Sequence, residues 1–258
     1  MLSQMGPEYA SSLQRLISAK RYKQYTAVFG GDQKAGAALY LLDIEVRGAL
    51  LELLHFIELP LRDAIHRDLS AVYFKRWYER SDILDSRTTR SFEKAKGELG
   101  KYLGKEPDRV VAQVSLGTWT ALLETGGPIK DAAGNFVAAS DYERDLWHPA
   151  LAGTFSGLAK TREDAEVLLR RVRRARNRVA HHESVVFGVH QIGERDGTKL
   201  VRQSPHSMIA DVRALIAHLA PDMKAWLDTC KHVEELLGDQ LAVDALAYAH
   251  LKRNAAWV

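Results

Sequence analysis

The stretch "RRVRRARNRVAHHES", Arg170 to Ser184, concentrates the groups that could do chemistry. Six of the nine residues from Arg170 to Arg178 are arginine, and His181-His182-Glu183 follow. At 3.6 residues per turn, Val172, Ala175 and Val179 share a face with Leu168, which predicts an amphipathic helix packed through that stripe. Arg170, Arg174, Asn177 and His181 are spaced four, three and four, so they stack along the opposite ridge. Arg176 falls at the boundary of the polar face, and His182 falls over Arg178 and Val179, nearer the buried edge.

Three readings fit these residues. A run of charge is commonly a solvated helix face, since arginine is a good helix former. A metal site is the second, but adjacent histidines on a helix point about 100° apart and do not reach one ion without distortion. No metal or other cofactor is therefore expected. The third reading is RNA cleavage. Attack of a ribose 2′-hydroxyl on its own phosphate needs a base, an acid for the leaving 5′-oxygen, and cations for the transition-state charge. Arginine's planar fork suits the last task, and a histidine titrating near neutrality suits the first two. One helix supplies half of this set. Two copies facing each other across a two-fold axis would supply two histidines and a dense cationic cleft.

The rest of the chain must position that helix. It has 258 residues, 46% hydrophobic and 27% charged, with a net charge of +3, in the range of ordinary globular proteins. The basic character is thus local to the arginine segment. The lone Cys230 excludes an intrachain disulfide and a cysteine metal cage, which suits a reducing compartment. The start "MLSQMGPEYASSLQ" lacks a basic region followed by an apolar run. The best membrane candidate, Gly48 to Leu61, is interrupted by Glu52, His55, Glu58 and Pro60. A cytoplasmic protein with no membrane partner is expected.

Apolar periodicity predicts an all-α protein, one domain over 1–258 with a small β excursion at 185–203. "YLLDIEVRGALLELLHFIE" reads as a helix buried on more than one side, kinked near Phe56 by Pro60 and resuming through Leu61, Ile65 and Leu69. Glu58 and Arg62, at i,i+4, are expected to pair. "DSRTTRSFEKAKGELGKYL" reads as a helix capped by Asp85 or Ser86. "EPDRVVAQVSLGTWTALLE" starts another at Pro107 and is punctuated at Gly117. "GGPIKDAAGNF" reads as a loop, and "DYERDLWHPALAGTF" as a short helix interrupted at Pro149. After the arginine helix, "VVFGVHQIGERDGTKLVRQ" alternates around Asp196-Gly197, a hairpin signal. Helices are expected to open at Ser204-Pro205 and at Pro221, and a last one covers about Leu241 to Lys252.

Several of these segments, in order, resemble a known family. Arg176-Asn177-x-x-x-His181 is similar to the R-x(4–6)-H motif of the HEPN superfamily, and "RNRVAHHE" resembles its Abi-like (abortive infection) branch, the AbiD/AbiF group. Glu58 to Ala64 resembles that branch's Glu-x-x-Leu-Arg-Asn/Asp-Ala pattern, "SLGTWTALLE" its Ser-x-Gly-x-Trp segment, and "YERDLWHPAL" a further segment before the catalytic helix. Pro60 and the long 185–203 stretch depart from the pattern without touching the motif. The resemblance implies a HEPN-type helical bundle and a homodimer with a composite site. It implies metal-independent endoribonuclease activity in phage defence, as a toxin restrained by an antitoxin, either protein or small RNA. It assigns Arg176 and His181 as catalytic, Asn177 in support and His182 as an accessory group. Arg170, Arg173, Arg174 and Arg178 are then expected to hold RNA phosphates. The alternative is a non-catalytic RNA-binding or regulatory subunit of a defence or toxin–antitoxin system.

Overall fold

The structure is a computed structural model that describes residues 10–258; the reading of the N-terminal nine residues lies outside it. The chain is mostly helical. It runs through α1 (Ala10–Leu16), α2 (Ala19–Thr26), α3 (Gln33–Tyr73), α4 (Ser86–Leu103), α5 (Pro107–Gln113) and α6 (Leu116–Ala121). The strands β1 (Pro128–Lys130) and β2 (Phe136–Ala139) follow, then a wide π-type helix (Glu143–Leu151) that runs into α7 (Ala152–Thr154) and α8 (Arg162–Ala180). After β3 (Val189–Asp196) and β4 (Lys199–Gln203) come α9 (Pro205–Leu219), α10 (Lys224–Thr229), α11 (His232–Leu237), α12 (Gln240–Lys252) and β5 (Ala255–Trp257). Among the described residues, no helix is long and apolar enough to cross a membrane.

The chain divides into two compact units, each discontinuous in sequence. One takes residues up to His55 with 174–213 and 223–258; the other takes 56–173 and 214–222. The single domain read over 1–258 covers both. Three of the four divisions fall inside α3, α8 and α9, and the fourth lies between Asp222 and Met223.

In the first unit, Leu13, Tyr22, Ala37 and Leu41 form a buried cluster that ties α1 and α2 to the start of α3. Tyr25 packs edge-on against Tyr40, with centroids 5.2 Å apart, and against Phe187 at 5.4 Å. The expected hairpin is present: β3 and β4 pair antiparallel from Val189↔Gln203 to Asp196↔Lys199. Gly197, at φ +57°, supplies the left-handed residue that a two-residue turn requires. The third strand is a surprise. β5 adds in parallel to β4, Arg202 opposite Trp257, and a three-residue run so near the last helix carries little strand signal. Gly188 explains how Trp257 fits: it sits at φ +71°, and a Cβ there would stand 2.6 Å from the Trp257 ring.

In the second unit an aromatic core joins α4 to α6. Phe92 stacks on Tyr78 at 5.1 Å and meets Trp77 at 5.3 Å and Trp119 at 6.1 Å in edge contacts. Each such ring removes a large apolar area from water. Asp85, not Ser86, caps α4, accepting from the Thr88 N–H at 2.7 Å. The buried Tyr142 hydroxyl accepts from the Asp85 N–H at 3.1 Å and donates to Thr88 Oγ1 at 3.0 Å; burial pushes its pKa up to about 12.

Several expectations are corrected. "GGPIKDAAGNF" is not a plain loop but the β1–β2 hairpin, whose turn is organised by Asp131 Oδ1 accepting from the Ala133 and Asn135 N–H groups. The Pro107 helix breaks at Val114-Ser115 rather than at Gly117, giving α5 and α6. Pro149 lies within the π-type helix without ending it. The segment opened by Pro221 is three short pieces, not one helix. Pro60 stands inside α3, which runs on past it to Tyr73, as the pattern resuming through Leu69 implied. Arg62, expected to pair with Glu58, donates to the Ala112 carbonyl at 2.8 Å and so fastens α3 to α5.

Candidate active site

The helix α8 buries Ala165, Leu169, Val172, Ala175 and Val179, each at 4% exposure or less. The predicted stripe is therefore correct in phase, except that Leu169 replaces Leu168, which is half-buried at its edge. Burial of such side chains, about 1.5–3 kcal/mol for each large one, fixes which residues face outward. Asn177 and His181 are exposed and Arg176 is half-buried. The His181 N–H donates to the Asn177 carbonyl at 2.9 Å, so both side chains ride on the last turn of one helix.

The helix stops one residue earlier than the motif. His182 has φ +55°, its N–H donates to Val179 O at 3.0 Å, and the Glu183 N–H reaches Arg178 O at 2.9 Å. This pair of bonds is a Schellman cap, which usually takes glycine at the left-handed position; histidine is among the residues that tolerate it. The expectation that His182 packs near Val179 is overturned: it is exposed and outside the helix. A left-handed residue redirects the chain, so the helical phase used to place His182 does not apply beyond His181.

The flanking arginines are engaged with protein groups. In the second unit, Arg170 donates to both carboxylate oxygens of Glu166 at 2.6 and 2.5 Å, and Arg173 donates to Thr120 Oγ1 at 2.9 Å. In the first unit, Arg174 donates to the Ile192 carbonyl and to Gln191 Oε1. Gln191, fully buried, passes the connection to Gln203, which donates to Asp211 at 2.6 Å. Arg178 donates to the Ser184 carbonyl and pairs with Glu183 at 3.0 Å. Arg174 and Arg178 thus hold α8 to β3 and to its own exit loop.

Two further groups escaped the sequence reading. Asp43 of α3 is fully buried. Its Oδ1 accepts from the Val185 and Val186 N–H groups at 3.0 and 3.2 Å, and its Oδ2 from the Tyr25 hydroxyl at 2.8 Å. Arg47 Nε lies 3.5 Å from the same carboxylate. Asp43 thus pins the two residues that follow Ser184. Burial, and then the Asp43 charge, hold the Tyr25 phenol well above its ordinary range. The available signal was a short carboxylate flanked on both sides by apolar residues, Leu42 and Ile44, in "LYLLDIEV". The second group is a row of polar and aromatic side chains on the sheet, centred on Arg202. His190, Arg202 and Trp257 are register partners across β3, β4 and β5, and directly opposed residues share a face. Burial, then Arg253 and Arg178, depress the Arg202 guanidinium to about 10. Burial, then Arg202, Arg174 and Arg178, lower the His190 imidazole.

Two of the segments with family resemblance lie in the second unit and touch the α8 residues of that unit, whereas Arg176 to Glu183 belong to the first. Gly117 of "SLGTWTALLE" lies against Arg173, where an added Cβ would be 3.5 Å from Nη1. Glu143 of "YERDLWHPAL" pairs with Arg162, the first residue of α8, at 2.8 Å. Among the described residues, no group of three or more histidine, cysteine, aspartate or glutamate side chains is arranged to hold a metal ion. No known family model matches the chain, and neither a curated protein nor a solved structure matches it.

Proposed function

We propose that this chain is a metal-independent endoribonuclease of HEPN type, of the Abi-like branch, acting as a toxin in phage defence. The observation that carries the reading is the end of α8. Asn177 and His181 face solvent on its last turn, while Arg170, Arg173, Arg174 and Arg178 are bonded to protein. A helix face kept merely for solubility has no need to expose a histidine beside an asparagine and to tie down its arginines.

In the proposed reaction the 2′-hydroxyl loses its proton to one His181 as its oxygen attacks the adjacent phosphorus. The bond to the 5′-oxygen breaks, and that oxygen takes a proton from a second His181. The products are a 2′,3′-cyclic phosphate and a 5′-hydroxyl. Arg176 stabilises charge on the phosphoryl oxygens, and Asn177 orients the phosphate or the imidazole. One chain carries one such set, so the active form is a homodimer with a composite site. Its toxicity is restrained by an antitoxin, protein or small RNA.

The test is to incubate labelled single-stranded RNA with the wild-type chain and with His181→Ala in EDTA. Wild type is expected to cut to cyclic-phosphate ends. The variant should lose cleavage by about 10²–10⁴-fold and keep its affinity within about twofold. Equal cleavage by the two proteins would sink the assignment of His181, and absence of cleavage by wild-type dimer would sink the enzyme.

A further inference from the structure

The second unit carries a groove along α4 that the end of α8 does not use. Three adjoining hollows form it. The first two share Ser86, Arg90 and Lys130, and the second and third share Arg87 and Glu124. The middle hollow measures about 390 Å³ and the third about 270 Å³. The third hollow ends on Arg173.

The lining selects the ligand. Arg90 and Lys130 are exposed, and no carboxylate among the described residues pairs with either. The acids of the wall are mostly spent on protein donors. Asp85 accepts from the Thr88 N–H at 2.7 Å, Glu124 from Arg87 at 2.6 Å, and Asp131 from its own turn. Glu93, at the edge of the first hollow, is the exception. The Ser86 hydroxyl, which accepts from the Lys130 N–H at 2.7 Å, keeps its proton to donate, whereas the Ser91 hydroxyl donates to the Arg87 carbonyl and Ser115 and Thr118 bond to each other at 3.5 Å, leaving one proton between them for a ligand. Gly117, Gly126 and Gly127 leave the floor without side chains, so a ligand's backbone can come close. No aromatic ring lines the three hollows, and a base therefore has no platform to stack on. Cations and hydroxyls without stacking groups are the contacts that position a sugar–phosphate chain and do not read its sequence.

We propose that this groove binds the sugar–phosphate backbone of single-stranded RNA, independently of sequence, with Arg90 and Lys130 as its open phosphate contacts. The choice of RNA rests on the ribonuclease reading above. The groove itself rests on its own lining.

The experiment measures binding of oligouridylate and oligoadenylate by fluorescence anisotropy across a salt series. It uses the full chain with His181→Ala to prevent turnover. Adding Arg90→Ala and Lys130→Ala should weaken both RNAs alike by at least about tenfold. The log–log salt slope should flatten by about 0.7 for each lost contact, about 1.4 in all. Lys20→Ala with Lys34→Ala, two exposed lysines in the other unit, removes the same charge and should change neither quantity by as much. Equal weakening by the control pair, or no change in the groove variant, overturns the groove. In that case cleavage by the wild-type chain still stands for the ribonuclease. A chain that binds RNA through Arg90 and Lys130 but never cuts it overturns the ribonuclease and upholds the groove. Displacement of RNA by polyglutamate of equal charge, at equal concentration, would mean an acidic peptide is the ligand and overturn the proposal.

Discussion

Arginine is dense on α8 and sparse on α4, yet the sparser region offers the more available charge. On α8, Arg174 and Arg178 end on the carbonyls of Ile192 and Ser184 and on side chains near them. On α4, Arg90 reaches into a groove with its donors uncommitted to any carboxylate, as does Lys130 from β1. The difference lies in the acceptors within reach. A half-buried guanidinium must satisfy its donors on protein, because leaving them bare costs free energy. An exposed one leaves them to water, and water is readily displaced by phosphate. The number of arginines in a segment therefore counts potential contacts, and burial decides how many remain for a ligand.

The harshest way to break this comparison is to release the segment that follows α8. Asp43→Ala would strand the Val185 and Val186 N–H groups and the Tyr25 hydroxyl inside the core. Removing one partner of a buried charged network costs about 3–5 kcal/mol. Urea unfolding should show that loss, and Tyr25→Phe about 1 kcal/mol. A wild-type midpoint in Asp43→Ala would mean that the exit from α8 is held by something else.

A milder change sharpens the comparison directly. Arg174→Ala removes the ties to Ile192 and Gln191 and should cost about 1–2 kcal/mol of stability. It should flatten the salt dependence of RNA binding less than Arg90→Ala does. If Arg174→Ala gives the greater flattening, its guanidinium leaves the protein acceptors for RNA and the contrast between the two regions fails. The smallest effect expected is a gain. His182→Gly relieves the left-handed position at φ +55° and should raise stability by about 0.5–1 kcal/mol. Cleavage should change little, since the chemistry is assigned to His181 and the cap bond of His182 is made by its backbone N–H. A dead but stable glycine variant would put His182 in the chemistry.

Much of the scaffold was legible in the sequence because it follows from local rules. The apolar stripe of α8, the Asp85 cap, the Pro107 start, the hairpin around Gly197 and the last helix each depend on side chains within a few residues of one another. The α8 exposure pattern that brings Asn177 and His181 out together was readable for the same reason.

Other features depended on partners far away along the chain. Asp43 meets Val185 and Val186, 142 and 143 residues on; β5 finds β4 about 55 residues earlier in the chain. A period or a cap signal carries no information about which distant backbone N–H groups will need an acceptor. The sequence by itself determined where α3, α4, α8, α9 and α12 would form, which face of α8 would be apolar, and which residue types crowd its end. Only the tertiary structure decided that His182 leaves the helix, that Arg170, Arg173, Arg174 and Arg178 bond to protein, and that Arg90 and Lys130 pair with no carboxylate among the described residues. Helical periodicity is a property of neighbours, whereas the satisfaction of a buried donor is a property of whatever the folded chain brings beside it.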